Sequence, residues 1–300
     1  MENGARGALV YNKKLFSQAG LDPNKPPATI DDLLRAHERL TKDEGGEIKQ
    51  LGFDPWDAMS MEGFLEFWGE GAYGAKWYDA KALKLNLNSP EMVQAVQSFT
   101  QFRIRTGYDK IDTFRKTYGF WTGKTGGITQ QTVAMQNNGY WTPGEIRVFA
   151  EGNNDVNGNL AYTWVPTAKG DKKVQLIGGW AVVIPSGAKQ PDVSFRYVEW
   201  LATAKANQIL LDQFGFQNGN KNAAKELKYD HVPGLKFYID SLTQADKTMQ
   251  PINIPIFADL DRSYRAALTD IGQGKKAAKA AMDDLQQQMQ QLLDDTVRGT

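Results

Sequence analysis

Residues 7–16 read Gly-Ala-Leu-Val-Tyr-Asn-Lys-Lys-Leu-Phe, and this stretch decides the fold class. Its apolar first half predicts a short buried strand, and Lys13–Ala19 predicts a helical turn that stops at Gly20, a residue suited to the end of a helix. After a proline-rich connector, Thr29 and Asp32 stand at capping-box spacing before apolar residues at helical intervals. A strand followed by helices is the first unit of an α/β fold.

The alternation of strand and helix continues along the chain. Ser89-Pro90-Glu91 predicts a helix start, with a capping serine, proline at the first helical position and an acid in the first turn. Residues 174–185 contain Gly-Gly-Trp-Ala-Val-Val-Ile and predict a strand buried on both faces. We therefore expect α/β layers. A helix from Asp192 is expected to follow, with Phe195, Val198 and Leu201 facing inward.

Composition excludes several classes of protein. The 300 residues hold 35 Lys and Arg against 35 Asp and Glu, so there is no broad basic field for nucleic acid. No run approaches the roughly 20 apolar residues that span a bilayer, and the first residues lack the apolar core of a signal peptide. Zero cysteines exclude disulfides and thiolate sites, whereas eight tryptophans suit a ligand cleft.

No catalytic or metal-binding motif in the sequence is complete. A phosphate-binding loop ending at Gly123-Lys124-Thr125 would need a glycine at Tyr118. His37 and His231 are far apart, and nothing places either beside a nucleophile or a second metal ligand. We expect both histidines at the surface. The sequence predicts no catalytic residue, no metal site and no cofactor.

Several segments together resemble the bacterial extracellular solute-binding proteins of the carbohydrate ABC-importer type, the maltose-binding-protein-like family. The segments are Leu9-Val-Tyr-Asn-Lys-Lys-Leu-Phe16, Pro26–Leu33, Val133-Ala-Met-Gln-Asn-Asn-Gly-Tyr-Trp141, Gly178–Pro185 and Asn253-Ile-Pro255. The resemblance implies a two-lobe periplasmic-binding-protein-like fold of type II and a binding protein rather than an enzyme. Its implied partners are a sugar or oligosaccharide and the transmembrane subunits of an ABC permease, with no nucleic acid.

The resemblance also implies a location and an arrangement of lobes. The location is the periplasm or the extracellular face of the cytoplasmic membrane, with the full-length protein a monomer. Members of the family begin with a first lobe, but only six residues precede the strand here, so we expect an N-terminally truncated chain without its signal segment. The expected second lobe is 7–138 and 215–300, the remnant of the first is 142–205, and hinge crossings fall near 5–10, 137–142 and 205–215.

Aromatic residues, together with Asp, Asn and Arg, are the candidate ligand contacts, since sugars need flat apolar faces for C–H patches and paired groups for hydroxyls. Trp141 follows Asn138 and Gly139 at the family's ligand-facing hinge position, and Trp56 falls where the family supplies a stacking ring. For several candidates an ordinary role competes: packing for Trp180 and Trp121, a solvated loop acid for Asp57, a surface ion pair for Asp261 with Arg265. The full set is Trp141, Trp180, Trp56, Tyr140, Gly179, Asp57, Asn138, Trp121, Asp261 and Arg265.

Two alternatives and one structural consequence remain open from the sequence. A glycoside hydrolase would also line a cleft with aromatics, but no pair of catalytic carboxylates is identifiable. The same fold could instead bind a peptide, polyol or phosphorylated metabolite. Because residues 142–205 offer few strands, the remnant lobe should not complete its sheet, and we expect Val182, Ile184 or neighbouring apolar side chains to be exposed.

Overall fold

The computed structural model describes residues 2–150, 154–216 and 219–298. In this part of the chain the strands are β1 Glu2–Ala5, β2 Ala8–Asn12, β3 Lys42–Glu44, β4 Glu47–Gln50, β5 Tyr78–Asp79, β6 Lys84–Leu85, β7 Met135–Asn138, β8 Leu160–Thr163, β9 Val174–Trp180 and β10 Lys247–Met249. Strands β3 and β4, and β5 and β6, form two-stranded antiparallel pairs. None of the described helices is both long and apolar enough to cross a bilayer.

Helices account for most of the remaining described structure. A π-helix spans Phe64–Ala72, before β5. The α-helices are α1 Lys13–Gln18, α2 Ile30–Leu40, α3 Ala58–Glu62, α4 Pro90–Thr106, α5 Tyr108–Thr117, α6 Thr142–Phe149, α7 Asn154–Asn159, α8 Pro191–Leu201, α9 Ala204–Phe214, α10 Lys221–Ala224, α11 Leu235–Gln244, α12 Phe257–Gly272 and α13 Ala278–Arg298.

The predicted strand β2 is the centre of a three-stranded antiparallel sheet. All five of its residues are buried, which explains the unbroken apolar run in the sequence. Val10 pairs with Gln136 of β7 on one side and with Tyr162 of β8 on the other. Strand β8 lies inside 142–205, the segment assigned from the sequence to the other lobe, yet it belongs to the sheet of β2. The rest of the lobe division stays a prediction.

Strand β9 is the centre of a second, mixed sheet. Its first three residues are parallel to β10, and Ile177–Trp180 pair antiparallel with β1, so each half has one neighbouring strand. Val174–Leu176 are buried, but Trp180 is 69% exposed. The prediction of a strand buried on both faces from 174 to 185 was therefore wrong in its second half. The expected exposure of Val182 and its neighbours is confirmed, and Val183 is 77% exposed.

The largest core lies where α4 packs against the π-helix, α2, α12 and α13. The ring of Phe99 is its centre, with ring centroids of Trp56, Phe64 and Trp68 at 4.7, 5.0 and 5.2 Å. The indole Nε1 of Trp68 donates to Ser98 Oγ at 2.9 Å. The π-helix and α12 pack in this core and also form one side of the candidate site.

Capping chemistry sets the helix starts as the sequence predicted. The Thr29 hydroxyl accepts from Asp32 N at 3.0 Å, and Ser89 Oγ accepts from Met92 N at 3.3 Å. Gly20 follows α1 with φ of 68°, a conformation that favours glycine.

Two expectations about burial were wrong. His37 is fully buried rather than at the surface, and its Nδ1 accepts from Phe53 N at 3.0 Å. Burial lowers the pKa of His37 to about 4, so the ring is neutral at physiological pH. His231 does lie at the surface, paired with Asp212 at 2.9 Å. The inward face expected for α8 is also absent, since Phe195 is 54% exposed and no α8 residue is buried.

Candidate functional site

Two adjoining hollows, together called the cleft, lie between α3, the π-helix and α12. The first, about 320 Å³, is lined by Arg6, Glu66 and Asp261 among others, and the second, about 450 Å³, by Trp56, Phe120 and Trp121. They share Glu62 and Arg265. A separate hollow of about 390 Å³ between β4 and α5 contains none of the residues predicted from the sequence. The cleft is therefore the candidate site.

Asp57 lines the cleft and links α3 to strand β7. Its Oδ1 accepts from Ser60 N at 2.7 Å and so caps α3, while its Oδ2 accepts from Asn137 N of β7 at 2.8 Å. The side chain is buried, and burial raises its pKa to about 7. The expectation of a solvated loop acid was wrong, because the two backbone donors hold the carboxyl inside.

Both arginines of the cleft are paired with carboxylates. Arg6 Nη2 lies 2.9 Å from Glu62 Oε1, and Arg265 Nε donates to Asp261 Oδ2 at 2.8 Å. The Tyr264 hydroxyl lies 2.8 Å from the other Asp261 oxygen. The couple of Asp261 and Arg265 is thus an ion pair, as the sequence suggested, but one that is half-buried at the cleft wall.

Glu66 is a buried acid in the cleft lining. Its side chain is 3% exposed, and Oε1 has no hydrogen-bond partner among the described residues. Burial raises its pKa to about 7, and the nearby carboxylates of Glu70 and Asp261 act in the same direction. Near neutral pH this group can therefore donate as well as accept a hydrogen bond.

Trp121 lines the second hollow of the cleft, and Trp141 packs against it. Trp121 is 54% exposed, against the expectation that it packs, and its ring centroid lies 5.9 Å from that of Trp141. Trp141 is mostly buried, and the Arg6 guanidinium lies 6.0 Å from its ring centroid. A side chain at Gly139 would place Cβ 2.3 Å from the Trp141 ring, so this glycine is required for the ring's position.

The remaining predicted residues lie outside the cleft lining. Tyr140 and Asn138 are buried behind it, and the Asn138 carbonyl accepts from the Tyr238 hydroxyl at 3.1 Å. Gly179 and Trp180 form the exposed end of β9, beyond the point where Gly178 packs against Arg6. Of the ten predicted residues, those that line the cleft are Trp56, Asp57, Trp121, Asp261 and Arg265, with Trp141 bordering it through Trp121.

Sequence reasoning missed three charged residues of the lining. Glu62 and Glu66 stand four residues apart, a spacing that could have marked two acids on one helical face. Arg6 offered no signal, because an isolated arginine before a strand matches no motif.

Comparison with known families identifies the chain. The family described as bacterial extracellular solute-binding protein matches residues 2–208. The chain belongs to this family. Its members are extracellular proteins that bind solutes and are not enzymes, which confirms the prediction of a binding protein, its family and its location.

The names of relatives of this solute-binding protein state different ligands. It is 25% identical to the sn-glycerol-3-phosphate-binding periplasmic protein UgpB of Brucella melitensis over 94% of this chain and 64% of that protein. It is 23% identical to the mannitol-binding protein of Pseudomonas aeruginosa over 93% of this chain and 66% of the relative. The chain thus spans about two thirds of the length of such relatives.

The fold is shown by solved structures. CpMnBP1 with mannotriose bound superimposes with a TM-score of 0.83 at 23% identity, covering 95% of this chain and 71% of that one. An ABC transporter solute-binding protein from Thermotoga lettingae bound with α-D-tagatose gives a TM-score of 0.78 at 20% identity, covering 97% and 71%. The predicted α/β fold of periplasmic-binding-protein type is confirmed.

Proposed function

We propose that this chain captures a sugar or oligosaccharide in the cleft and presents it to the transmembrane permease subunits of an ABC importer. The observation that carries the proposal is the combination of aromatic walls and ion-paired polar groups in one cleft. Trp56, Phe120 and Trp121 offer rings to the C–H faces of a sugar. Asp261 and Arg265 offer an acceptor and a forked donor to its hydroxyls.

The charge of the cleft favours an uncharged ligand over a phosphorylated one. Arg6 and Arg265 are each neutralised by a carboxylate, and the described lining contains no further arginine or lysine. Glu66 adds negative charge when it ionises. A phosphate dianion would have to displace Glu62 or Asp261 from its arginine, and like charges in a confined site are costly. Mannitol, mannotriose and tagatose, the uncharged ligands in the names of relatives and similar structures, meet no such penalty.

The proposed mechanism is closure of two lobes around the solute, the transition general to periplasmic binding proteins. The segments predicted as hinge crossings approach one another: Tyr140 N donates to the Ala5 carbonyl at 3.1 Å. A Cβ at Gly144 would lie 2.1 Å from Gly215 N, so those backbones are also in contact. A ligand shifts the open and closed populations only through contacts that differ between them, so residues on both sides of the cleft should contribute to affinity.

Calorimetry with mannotriose, mannitol and glycerol 3-phosphate tests the proposal. We expect heat of binding from at least one uncharged ligand and weaker or no binding of the phosphate. Trp121→Ala should weaken that binding about tenfold, the loss expected for one good aromatic contact. Trp200→Ala, an equally large change at an exposed residue of α8, should leave affinity unchanged. Binding of glycerol 3-phosphate alone, or an equal loss in both variants, would contradict the proposal.

A further inference from the structure

A buried charge cluster stands behind the aromatic walls of the cleft. Asp54 accepts from Arg103 Nε at 3.0 Å and Nη2 at 2.9 Å, and from Arg115 Nε at 3.0 Å. All three side chains are at most 2% exposed. Burial alone would raise the pKa of Asp54, but the two guanidiniums hold it at about 2, so the carboxylate stays charged.

Each guanidinium of the cluster faces one aromatic ring of the cleft. Arg103 Cζ lies 4.7 Å from the ring centroid of Trp56, and Arg115 Cζ lies 4.7 Å from that of Phe120. These distances fall within the range of cation–π attraction. The two rings come from separate segments, one before α3 and one after α5, yet both line the second hollow. Neither arginine lines the cleft, so the cluster acts on a ligand only through the rings.

We propose that Asp54, Arg103 and Arg115 are positioning residues that fix the spacing of Trp56 and Phe120 for the ligand. Asp54 also accepts from Trp56 N at 3.2 Å, so one carboxylate orients both the backbone of Trp56 and the cation against its ring. Buried ion pairs contribute little net stability compared with apolar residues of the same size, which makes a role in fixing geometry the better explanation for three buried charges. This proposal rests on the proposed function, because the ligand that the rings contact is the one proposed there.

The test compares Arg103→Met with Arg105→Met. Both change an arginine of α4 to methionine, but Arg105 is half-exposed and pairs with Glu38 rather than with Asp54. Arg103→Met leaves Asp54 paired with Arg115, so the buried carboxylate keeps one buried cation as its partner. Fluorine NMR of fluorotryptophan-labelled protein, with the Trp56 signal assigned through Trp56→Phe, reports the ring's environment without ligand. Mannotriose affinity is measured by calorimetry on the same samples.

We expect Arg103→Met to shift or broaden the Trp56 signal and to weaken mannotriose binding about tenfold while the protein stays folded. Arg105→Met should change neither. If Arg103→Met gave the same Trp56 signal and the same mannotriose affinity as Arg105→Met, the proposal would be overturned. If Arg103→Met does not fold, Arg103→Lys, which keeps the charge and loses the fork, is measured against the same outcomes. Absence of mannotriose binding by the parent protein contradicts the choice of ligand, whereas the Trp56 signal still decides the positioning role.

Discussion

At the scale of single residues, Glu66 predicts how stability depends on pH. Its folded pKa of about 7 lies above the ordinary value of 4.5, so the folded state binds this proton more tightly than the unfolded chain. The stability that this proton contributes is complete below about 4.5 and is lost as the pH rises towards 7. We therefore expect Glu66→Gln to raise the free energy of unfolding at pH 8 by about 1–3 kcal/mol. Urea unfolding of parent and variant at pH 5 and pH 8 measures it, with a small difference expected at pH 5.

Glu70→Gln is the matched control for that change. Glu70 lies on the same π-helix but pairs with Lys247 at 2.7 Å. Removing its charge loses the pair with Lys247 but relieves repulsion of ionised Glu66, so the stability at pH 8 should change much less than in Glu66→Gln. A gain equal to that of Glu66→Gln would show that the burial of Glu66 is not the cause.

Residue types in the sequence located only part of the cleft. Trp56, Asp261 and Arg265 could be selected, because aromatic and charged residues suit sugar binding and the family resemblance implied cleft positions for them. Which of the polar side chains are buried could not be predicted. Asp57 and His37 are polar residues in segments that look exposed in the sequence. Long-range partners hold them inside: Asn137 for Asp57, and Phe53 and Thr106 for His37. Such partners lie far away in sequence and leave no local pattern.

At the scale of elements, the crossing of α6 and α9 predicts a severe effect of one methyl group. An added Cβ at Gly144 would lie 2.1 Å from Gly215 N and 2.2 Å from the Phe214 carbonyl carbon, both backbone atoms that cannot rotate away. We expect Gly144→Ala to lower the free energy of unfolding by about 1–3 kcal/mol. Gly158→Ala is the control, since a Cβ at this helical glycine would meet no described atom within 4 Å. Thermal unfolding of both variants checks this, with no loss at Gly158, where alanine favours the helix.

Elements with local signals could be predicted and elements that depend on neighbours could not. The starts of α2 and α4 follow from Thr29 and Ser89, whose side chains bond to amides three residues away. The apolar run of β2 follows from burial on both faces. The length of β9 does not, because its end depends on where β1 and β10 stop pairing with it. The prediction of an inward face on α8 was wrong because nothing in the described chain covers that helix completely.

At the scale of the whole molecule, an exposed apolar surface is the main departure from an ordinary soluble monomer. Val183, at the end of the second sheet, and Phe195, Tyr197 and Trp200 of α8 are all exposed, and the last two rings stack at 5.9 Å. Soluble monomers seldom expose large contiguous apolar patches, and such patches favour association. Each half of β9 pairs with a described strand on one side only, so its other edge offers backbone groups that another chain could pair with.

We therefore expect this chain to self-associate as its concentration rises, with the α8 surface buried between copies. Sedimentation velocity at increasing concentrations should show a growing fraction above the mass of one 33.5 kDa chain. Phe195→Ser should shift that distribution towards the single chain, since burying a phenylalanine side chain contributes about 1.5–3 kcal/mol. Arg196→Ser, the same replacement at the adjacent exposed residue, should leave association unchanged because it removes charge rather than apolar area. A single species at every concentration in the parent protein would show that the exposed face is compatible with a monomer.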